Sequence, residues 1–290
     1  MSGREVSFLE TASPNTRIGV VLVIYNKRYD QSSSLLYLAD YASVRVVLAD
    51  NSTSESIRKE NAEYCRKQGY EYCPMMQNVG LPRAYNRAID ILEKVTDYVM
   101  ILDDDTVISG DCFAPLRTAI ADNPDADIFV PYVMDRNALL SPCIRKGCLF
   151  FKLSHKPIEF TSKMSAINSG MVLRTKSVTT KLLFDEHLFL DCVDHLFIIE
   201  QIIDKRKISL YHFVFVQAFF DARIAREESD IVRSFERFRI FVSDFRYFCE
   251  KCGTRKIPCE AYIFFRAVKL SVKYRDTRFF SARRLIETEK

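Results

Sequence analysis

The chain contains 290 residues, of which 48% are hydrophobic and 28% are charged, and its formal net charge is +4. This length and apolar content predict a soluble globular protein, organised as one large domain with an appended segment. The lack of any run of about 18 apolar residues excludes a membrane-spanning helix, and no recognised nucleic-acid-binding motif accompanies the positive charge.

The N-terminal residues predict a protein that stays in the cytosol and begins with a buried strand. Residues 1–16 are polar and lack the apolar core of a signal peptide. Ile18–Ile24 is a continuous apolar run, typical of a parallel strand buried on both faces. It opens into a polar loop at Tyr25 and Asn26.

The next segments favour alternating helices and strands. Residues 31–41 predict a helix, 44–49 a strand that stops at Asp50, and 55–68 a second helix with Ser54 as its candidate cap. This order predicts a right-handed βαβ series.

A loop with a glycine comes before the third predicted helix, and it includes Asn78 and Gly80, with Asn86 following. A glycine here lets the backbone approach a ligand closely, and a helix N-terminus favours an anion. A plain loop-to-helix turn explains the same residues. Neither the dinucleotide-binding nor the phosphate-loop fingerprint is present.

Three adjacent acids, Asp103, Asp104 and Asp105, follow a buried strand predicted at residues 98–102. Such carboxylates repel one another unless a cation or hydrogen-bond donors neutralise them. Mg²⁺ and Mn²⁺ prefer oxygen ligands and leave positions open for phosphate oxygens. Ligands bind at the carboxyl ends of parallel strands, so the acids are expected to share a crevice with Asn26 and Asp50. A solvated acidic turn is the alternative.

Together, segments 23–26, 48–52, 78–86 and 102–105 resemble the nucleotide-sugar-binding half of family 2 inverting glycosyltransferases, which have the GT-A fold. The donor-site residues implied by this resemblance are Tyr25, Asn26, Asp50, Asn78, Gly80, Asn86, Asp103 and Asp104. Asp50 would contact the nucleobase and Asp103 the nucleoside. Asp105, with Asp103, would hold a Mn²⁺ or Mg²⁺ ion that bridges the diphosphate.

The middle of the chain favours further strands, at 127–133, 148–153 and 166–173, with a loop or hairpin at 134–147. Ser169 and Gly170 interrupt the last of these strands. A glycine there marks either a β-bulge or a close approach by a ligand or another part of the backbone. By the resemblance, Ser169 and Gly170 lie beside the donor sugar.

Asp191 and Asp194 follow an aromatic, apolar approach. If a helix begins here, both acids are stabilised near its first turn, so helix capping is one interpretation. The other is general base catalysis, in which a carboxylate takes the proton of the acceptor hydroxyl. The pattern Phe-Leu-Asp-x-Val-Asp resembles the acceptor-side motif of bacterial rhamnosyl- and galactofuranosyl-type transferases. Asp194 falls at the position of their base, whereas His195 replaces an acid that many members carry.

Residues 208–220 predict a last strand that contains His212. Some GT-A enzymes supply a late histidine to the metal, so His212 is a candidate third ligand, and a core histidine is the alternative. Gln217 is a second candidate for this late contact.

The C-terminal segment is basic and aromatic. From Arg223 onward, 17 Lys and Arg face 10 Asp and Glu, a net charge of +7, which leaves 25 minus 28, or −3, for the preceding residues. Residues 1–222 are therefore predicted as the nucleotide-sugar-binding and catalytic domain, and 223–290 as a helical extension.

Four phenylalanines of the extension recur at helical spacing and form one face of an amphipathic helix. They are Phe238, Phe241, Phe245 and Phe248. This face either packs on the core or lies on an anionic membrane surface.

The nine cysteines are scattered, and only Cys249 and Cys252 have the Cys-x-x-Cys spacing. A zinc site would need Cys259 and His212 as further ligands, but structural zinc sites require four well-spaced ligands, so reduced, buried thiols are expected.

The sequence thus predicts a metal-dependent inverting glycosyltransferase, an α/β protein with a mixed, mostly parallel sheet. Its donor would be a UDP- or dTDP-sugar, and its acceptor a saccharide or lipid-linked molecule of bacterial surface polysaccharide synthesis. It would work in the cytoplasm, with possible peripheral contact at the inner face of the plasma membrane. Two alternatives remain: a haloacid-dehalogenase-like phosphatase with Asp103 as nucleophile, and a non-catalytic sugar-nucleotide-binding protein.

Overall fold

The structure is a computed structural model that describes residues 16–135, 137–178, 183–217 and 228–282. Its strands are β1 (Ile18–Ile24), β2 (Arg45–Asp50), β3 (Glu71–Pro74), β4 (Tyr98–Asp103), β5 (Thr106–Val107), β6 (Ile128–Asp135), β7 (Ala138–Ser141), β8 (Cys143–Lys146), β9 (Leu149–Lys152), β10 (Met164–Ser165), β11 (Met171–Arg174) and β12 (Ile208–Gln217). Its α-helices are α1 (Ser33–Leu38), α2 (Glu55–Gln68), α3 (Leu81–Leu92), α4 (Phe113–Asp122), α5 (Thr175–Val178), α6 (Val193–Ile203), α7 (Glu228–Lys251), α8 (Lys256–Tyr274) and α9 (Arg278–Ala282).

Parallel strands form the N-terminal half of the main sheet, in the order β3-β2-β1-β4. All seven residues of β1 are buried, as its continuous apolar run predicts. The register pairs Ile24 with Asp50 and Val23 with Asp103, so both acids lie beside the end of β1. The predicted βαβ series and the shared edge for these two acids are confirmed.

The first helix is shorter than residues 31–41. A 3₁₀ turn (Tyr29–Gln31) comes first, and α1 then begins after Ser32, whose hydroxyl accepts a hydrogen bond from the Leu35 amide at 3.3 Å. Ser54 occupies the predicted position before α2, but its hydroxyl lies 3.0 Å from that of Ser56 and caps no backbone amide.

The second half of the main sheet is mixed and continues in the order β11-β6-β12-β5, with β7 paired to β6. β11 is antiparallel to β4 and β6, whereas β12 is parallel to β6 and antiparallel to β5. The predicted strand at 166–173 is realised only as β11, because Gly170, at φ 79°, belongs to a turn that precedes it. The predicted loop or hairpin at 134–147 contains strands β7 and β8.

The C-terminal helices share their core with the sheet. Phe238, Phe241, Phe245 and Phe248 of α7 are at most 3% exposed and belong to the same apolar cluster as Val21 of β1. Packing on the core is therefore the correct interpretation of this aromatic face, and its placement on a membrane is wrong. The predicted boundary between residues 222 and 223 lies outside the described residues.

None of the helices within the described ranges is long and apolar enough to cross a bilayer.

Candidate functional site

The acids that follow β4 form the centre of the site. Asp103 Oδ2 accepts hydrogen bonds from the hydroxyl of Ser169 and from Gln217 Nε2, the latter at 3.3 Å. Its Oδ1 lies 3.4 Å from the Tyr85 hydroxyl, which donates to it. Strands β4 and β12, helix α3 and the turn before β11 therefore meet at one carboxylate.

Burial raises the pKa values of two of these acids, Asp103 and Asp105. It raises the pKa of Asp103 to about 6, and the charges of Asp105, Asp194 and Asp104 act in the same direction, against the hydrogen bond from Ser169. Burial and the charge of Asp104 also raise the pKa of Asp105. The site therefore holds an excess of negative charge.

The residues fit a divalent cation that shares its coordination with a ligand. Within the described part of the chain, no three His, Cys, Asp or Glu side chains are placed to hold a metal by themselves. Asp103 and Asp105 offer carboxylate oxygens, and the buried Oε1 of Gln217 beside them has no hydrogen-bond partner. Mg²⁺ is commonly held by only one or two carboxylates together with substrate phosphates.

The third acid of the turn is already paired, since Asp104 Oδ2 lies 2.5 Å from Lys27 Nζ. Lys27 belongs to the loop after β1, next to Tyr25, which is 52% exposed, and Asn26. Asn26 Oδ1 accepts the backbone amides of Thr53 at 2.9 Å and of Ser54 at 3.3 Å. The loops after β1 and β2 are therefore fixed to each other at the edge where the acids lie.

Asp50 lies at this edge but has no surface open to the cleft. It is 0% exposed, Oδ1 accepts the Ser52 amide at 2.8 Å, and Oδ2 accepts from Asn61 and Tyr72, both at 3.0 Å. In this structure the carboxylate organises the loop after β2, and its contact with the nucleobase stays a prediction.

Gly80 and Asn78 form the turn into α3. A Cβ atom on Gly80 would lie 2.8 Å from the Phe189 carbonyl oxygen, and the glycine φ is 86°. A close backbone approach therefore occurs here, to the segment before α6, and an approach to the donor stays a prediction. Asn78 Oδ1 accepts the Gly80 amide at 3.2 Å.

Asn86 also connects α3 to that segment. It is 7% exposed, its Nδ2 donates to the Phe184 carbonyl at 2.9 Å and to Glu186 Oε1 at 3.1 Å, and its Oδ1 accepts the Phe184 amide. This amide is bound to residues 184–186, and its contact with the donor stays a prediction.

Ser169 and Gly170 likewise have protein partners. Ser169 is 0% exposed and donates to Asp103, and a Cβ atom on Gly170 would collide with the Phe215 ring. These residues therefore position Asp103 and β12, and their place beside the donor sugar stays a prediction.

His212 does not lie with the acids. It is exposed on β12, and its Nδ1 is 3.5 Å from the Tyr132 hydroxyl. The strand between His212 and Gln217 spans roughly 17 Å at about 3.3 Å per residue. The structure therefore does not bring His212 to the expected metal site, whereas Gln217, the second candidate, reaches Asp103.

Asp194 lies in the first turn of α6, and its Oδ1 accepts the His195 amide at 2.8 Å. Its negative charge contributes to the raised pKa of Asp103, which places the two carboxylates in one electrostatic environment. Asp191 is paired with both terminal nitrogens of Arg237, with Nη2 at 2.9 Å from Oδ1.

A residue absent from the sequence prediction holds the segment before α6. Asp244 of α7 is 2% exposed and accepts the backbone amides of Phe189 at 3.0 Å and of Leu190 and Asp191 at 2.8 Å. More than 50 residues separate the partners, so no local pattern indicates this contact. Arg237, Lys27 and Tyr85 were also missed, because their partners Asp191, Asp104 and Asp103 lie on other elements, at least 18 residues away.

The described cysteines are free thiols, as expected, and most are buried.

Comparisons with known proteins agree with this architecture. A model of the family described as "Glycosyl transferase family 2" matches residues 21–178. A search of curated proteins found no match to the chain.

Solved glycosyltransferase structures are similar in fold. GalNAc-T7 with UDP, GalNAc and Mn²⁺ has a TM-score of 0.58 at 13% identity, over 95% of this chain and 57% of that chain. The mannosyltransferase PcManGT from Pyrobaculum calidifontis, in complex with GDP-Man and Mn²⁺, has a TM-score of 0.52 at 13% identity, over 96% and 78%. S. aureus TarS 1-349 has a TM-score of 0.50 at 16% identity, over 95% and 75%.

The chain spans only 40% of a longer TarS chain and 57% of GalNAc-T7. These likenesses show the fold, which is an α/β GT-A fold with a C-terminal helical region.

Proposed function

The chain belongs to glycosyl transferase family 2, and we propose that it transfers a sugar from a nucleotide diphosphate donor to an acceptor hydroxyl. The observation that carries the proposal is the electrostatic cluster at the carboxyl edge of the sheet. Asp103 ends β4, Asp105 lies in the turn that follows it, and the charge of Asp194, from a different segment, acts on Asp103. Inverting transfer needs this division between a leaving-group side and a base.

The donor side would hold Mn²⁺ or Mg²⁺ through Asp103 and Asp105. When bound, the ion supplies positive charge to the leaving diphosphate. Support comes from the raised pKa values of both acids, because a nearby cation favours their charged forms. The Mn²⁺ ions named with GalNAc-T7 and PcManGT also support a divalent ion. Near these acids, the side chains of Tyr25, Asn26 and Lys27 are exposed or partly exposed and would be accessible to a bound donor.

On the acceptor side, Asp194 would take the proton of the attacking hydroxyl. Asp191 would support it indirectly, because its ion pair with Arg237 and the Asp244 contacts hold the approach to α6.

The narrower assignment rests on sequence resemblance. The segment that ends in Asp194 supports a UDP- or dTDP-sugar donor, such as galactofuranose or rhamnose, and a role in bacterial surface polysaccharide synthesis. A saccharide or lipid-linked acceptor accords with that role. The family match leaves the phosphatase alternative without support.

A membrane contact, if the acceptor is lipid-linked, would use α8. Ile257, Phe265 and Val272 are 81%, 69% and 74% exposed and recur at eight- and seven-residue steps, which places them on one helix face. Lys269 and Lys273 are exposed on the same helix. An apolar face bordered by basic residues suits the surface of an anionic bilayer.

Donor binding tests the proposal. Calorimetry with UDP, dTDP and GDP should show binding of at least one nucleotide with Mn²⁺ and a loss of about tenfold or more with chelator or in Asp105→Asn. Asp111→Asn is the matched control, since this exposed acid caps α4 through the Phe113 amide, which an asparagine oxygen can also accept. Equal nucleotide affinity with Mn²⁺, with chelator and in Asp105→Asn would refute the assignment of a metal ion to this site. Release of nucleotide from UDP- or dTDP-sugars then separates an enzyme from a non-catalytic binder.

A further inference from the structure

A cleft of about 490 Å³ lies between β9, the start of α6 and helices α7 and α8. Asp191 and Asp194 line it on the α6 side, and Tyr262 and Arg266 of α8 line it as well. Phe150 of β9 stacks on His195 with ring centroids 3.5 Å apart. Carboxylates, aromatic rings and one guanidinium therefore surround the same space.

Arg266 is the one Arg or Lys that lines this cleft within the described part of the chain. Its guanidinium carbon lies 3.7 Å from the centroid of the Phe241 ring. At this distance the guanidinium lies over the face of the ring, and planar anions bind guanidinium groups along the edge that carries the N–H donors. Arg266 forms no hydrogen bond or ion pair with any residue whose position is described.

The nearest carboxylate is already neutralised. The negative charge of Asp191 acts on Arg266, but both carboxylate oxygens of Asp191 are bound by Arg237. Burial lowers the pKa of Arg266, and the charge of Asp191 opposes this effect. A partly buried cation without an anionic partner is unfavourable, so an incoming anion would gain an ion pair at a group that is already partly desolvated.

We propose that Arg266 binds an anionic group of the acceptor, a carboxylate or a phosphate, and that the acceptor extends through the cleft from Asp194 to Arg266. The aromatic rings of Phe150 and Tyr262 would contact the apolar faces of its sugar rings. This inference rests on the proposed function, because it takes Asp194 to be the base. It narrows the acceptor to an acidic saccharide, a saccharide phosphate or a lipid-linked saccharide phosphate.

Simple ligands test the charge preference without knowledge of the acceptor. Glucuronate, glucose 6-phosphate, decyl phosphate and the neutral methyl glucoside would be titrated into the whole protein by calorimetry, with chelator present to exclude metal-held phosphate. We expect at least one anion to bind about tenfold or more tightly than methyl glucoside. Glucuronate against glucose 6-phosphate separates carboxylate from phosphate, and decyl phosphate tests the lipid-linked source.

Variants then locate the binding. Arg266→Gln should remove the preference for anions, Arg266→Lys should keep part of it, and Arg233→Gln, at an exposed arginine of α7 outside the cleft, should leave it unchanged. Equal affinity for all four ligands in the unmodified protein would overturn the inference, and so would anion binding that survives in Arg266→Gln. If Arg266→Gln does not fold, the ligand preference of the unmodified protein and the Arg266→Lys variant decide the question.

Failure of this inference is distinguishable from failure of the proposed function. Nucleotide binding with Mn²⁺ involves the other side of the site and should persist in Arg266→Gln. Absence of any anion preference in the unmodified protein, with its nucleotide binding intact, would refute only the acceptor class. Absence of nucleotide binding in the unmodified protein would refute the proposed function.

Discussion

Replacing the carboxylate at the end of β4 should stabilise the metal-free protein, although it removes a group proposed to bind the donor. Asp103 has a pKa of about 6 against an ordinary 3.8, chiefly because of burial. Between these values the folded state binds more protons than the unfolded state, so stability falls as pH rises through this window. Above about pH 6 the whole penalty is present. Asp103→Asn cannot ionise and should escape it.

The expected gain follows from the pKa difference. At about 1.36 kcal/mol for each pKa unit, the difference is equivalent to about 3 kcal/mol. Partial exposure of the side chain reduces this value, so we expect a gain of about 1–3 kcal/mol at pH 8. The new amide can be satisfied, since the unpartnered Oε1 of Gln217 can accept from it and Tyr85 can still donate.

Urea unfolding with chelator at pH 4, 6 and 8 measures this effect. The stability of Asp103→Asn relative to the unmodified protein should increase from pH 4 to 6 and then remain constant. Asp104→Asn is the control and should show no gain, because it loses the 2.5 Å ion pair with Lys27. A difference that does not vary with pH, or a less stable variant at pH 8, would refute the reasoning. Added Mn²⁺ and nucleotide should favour the unmodified protein through binding.

Three further predictions concern the acceptor side. Asp194→Asn should lower turnover by about 10²–10⁴-fold with donor affinity nearly intact, and Asp191→Asn should cost less; normal turnover in a folded Asp194→Asn would assign the base elsewhere. Asp244→Ala should leave three backbone amides without their acceptor, destabilise the fold by about 3 kcal/mol or more and increase hydrogen exchange at residues 189–191, whereas unchanged exchange there would contradict its role. Liposome co-sedimentation should require anionic lipid, weaken with salt and decrease in a Phe265→Ser, Val272→Ser double variant, and binding that ignores all three would exclude the α8 surface.

Local pattern was sufficient to predict the parallel half of the sheet. The apolar runs of β1, β2 and β4 each end in polar residues, and a period of strand then helix allows few arrangements other than right-handed crossovers. The common edge of Asp50 and Asp103 follows from that topology. The antiparallel insertion of β11 between β4 and β6 does not, because its pairing depends on contacts far apart in sequence.

Side-chain direction at the site was less predictable than backbone position. Asp50 lies at the end of β2 and Asn86 within α3, as the sequence predicts, yet both are committed to protein hydrogen bonds. A sequence pattern identifies a polar residue at a sheet edge but cannot tell whether it faces the cleft or supports a neighbouring loop. Gly80 shows the same ambiguity, since the close approach seen in the structure is to the backbone carbonyl of Phe189.

The C-terminal helices contribute residues to the site. Their charge and composition alone did not indicate this contribution. Asp244 holds the backbone before α6, Arg237 neutralises Asp191, and Arg266 lines the cleft that contains Asp194. The same helices place Phe238 and Phe248 in the core that the sheet uses. Removing them would therefore expose core surface and release the segment that positions the proposed base. The donor side of the site is formed by the parallel strands, whereas the acceptor side depends on α7 and α8. Substitutions in these two helices could therefore change the acceptor without altering the donor side.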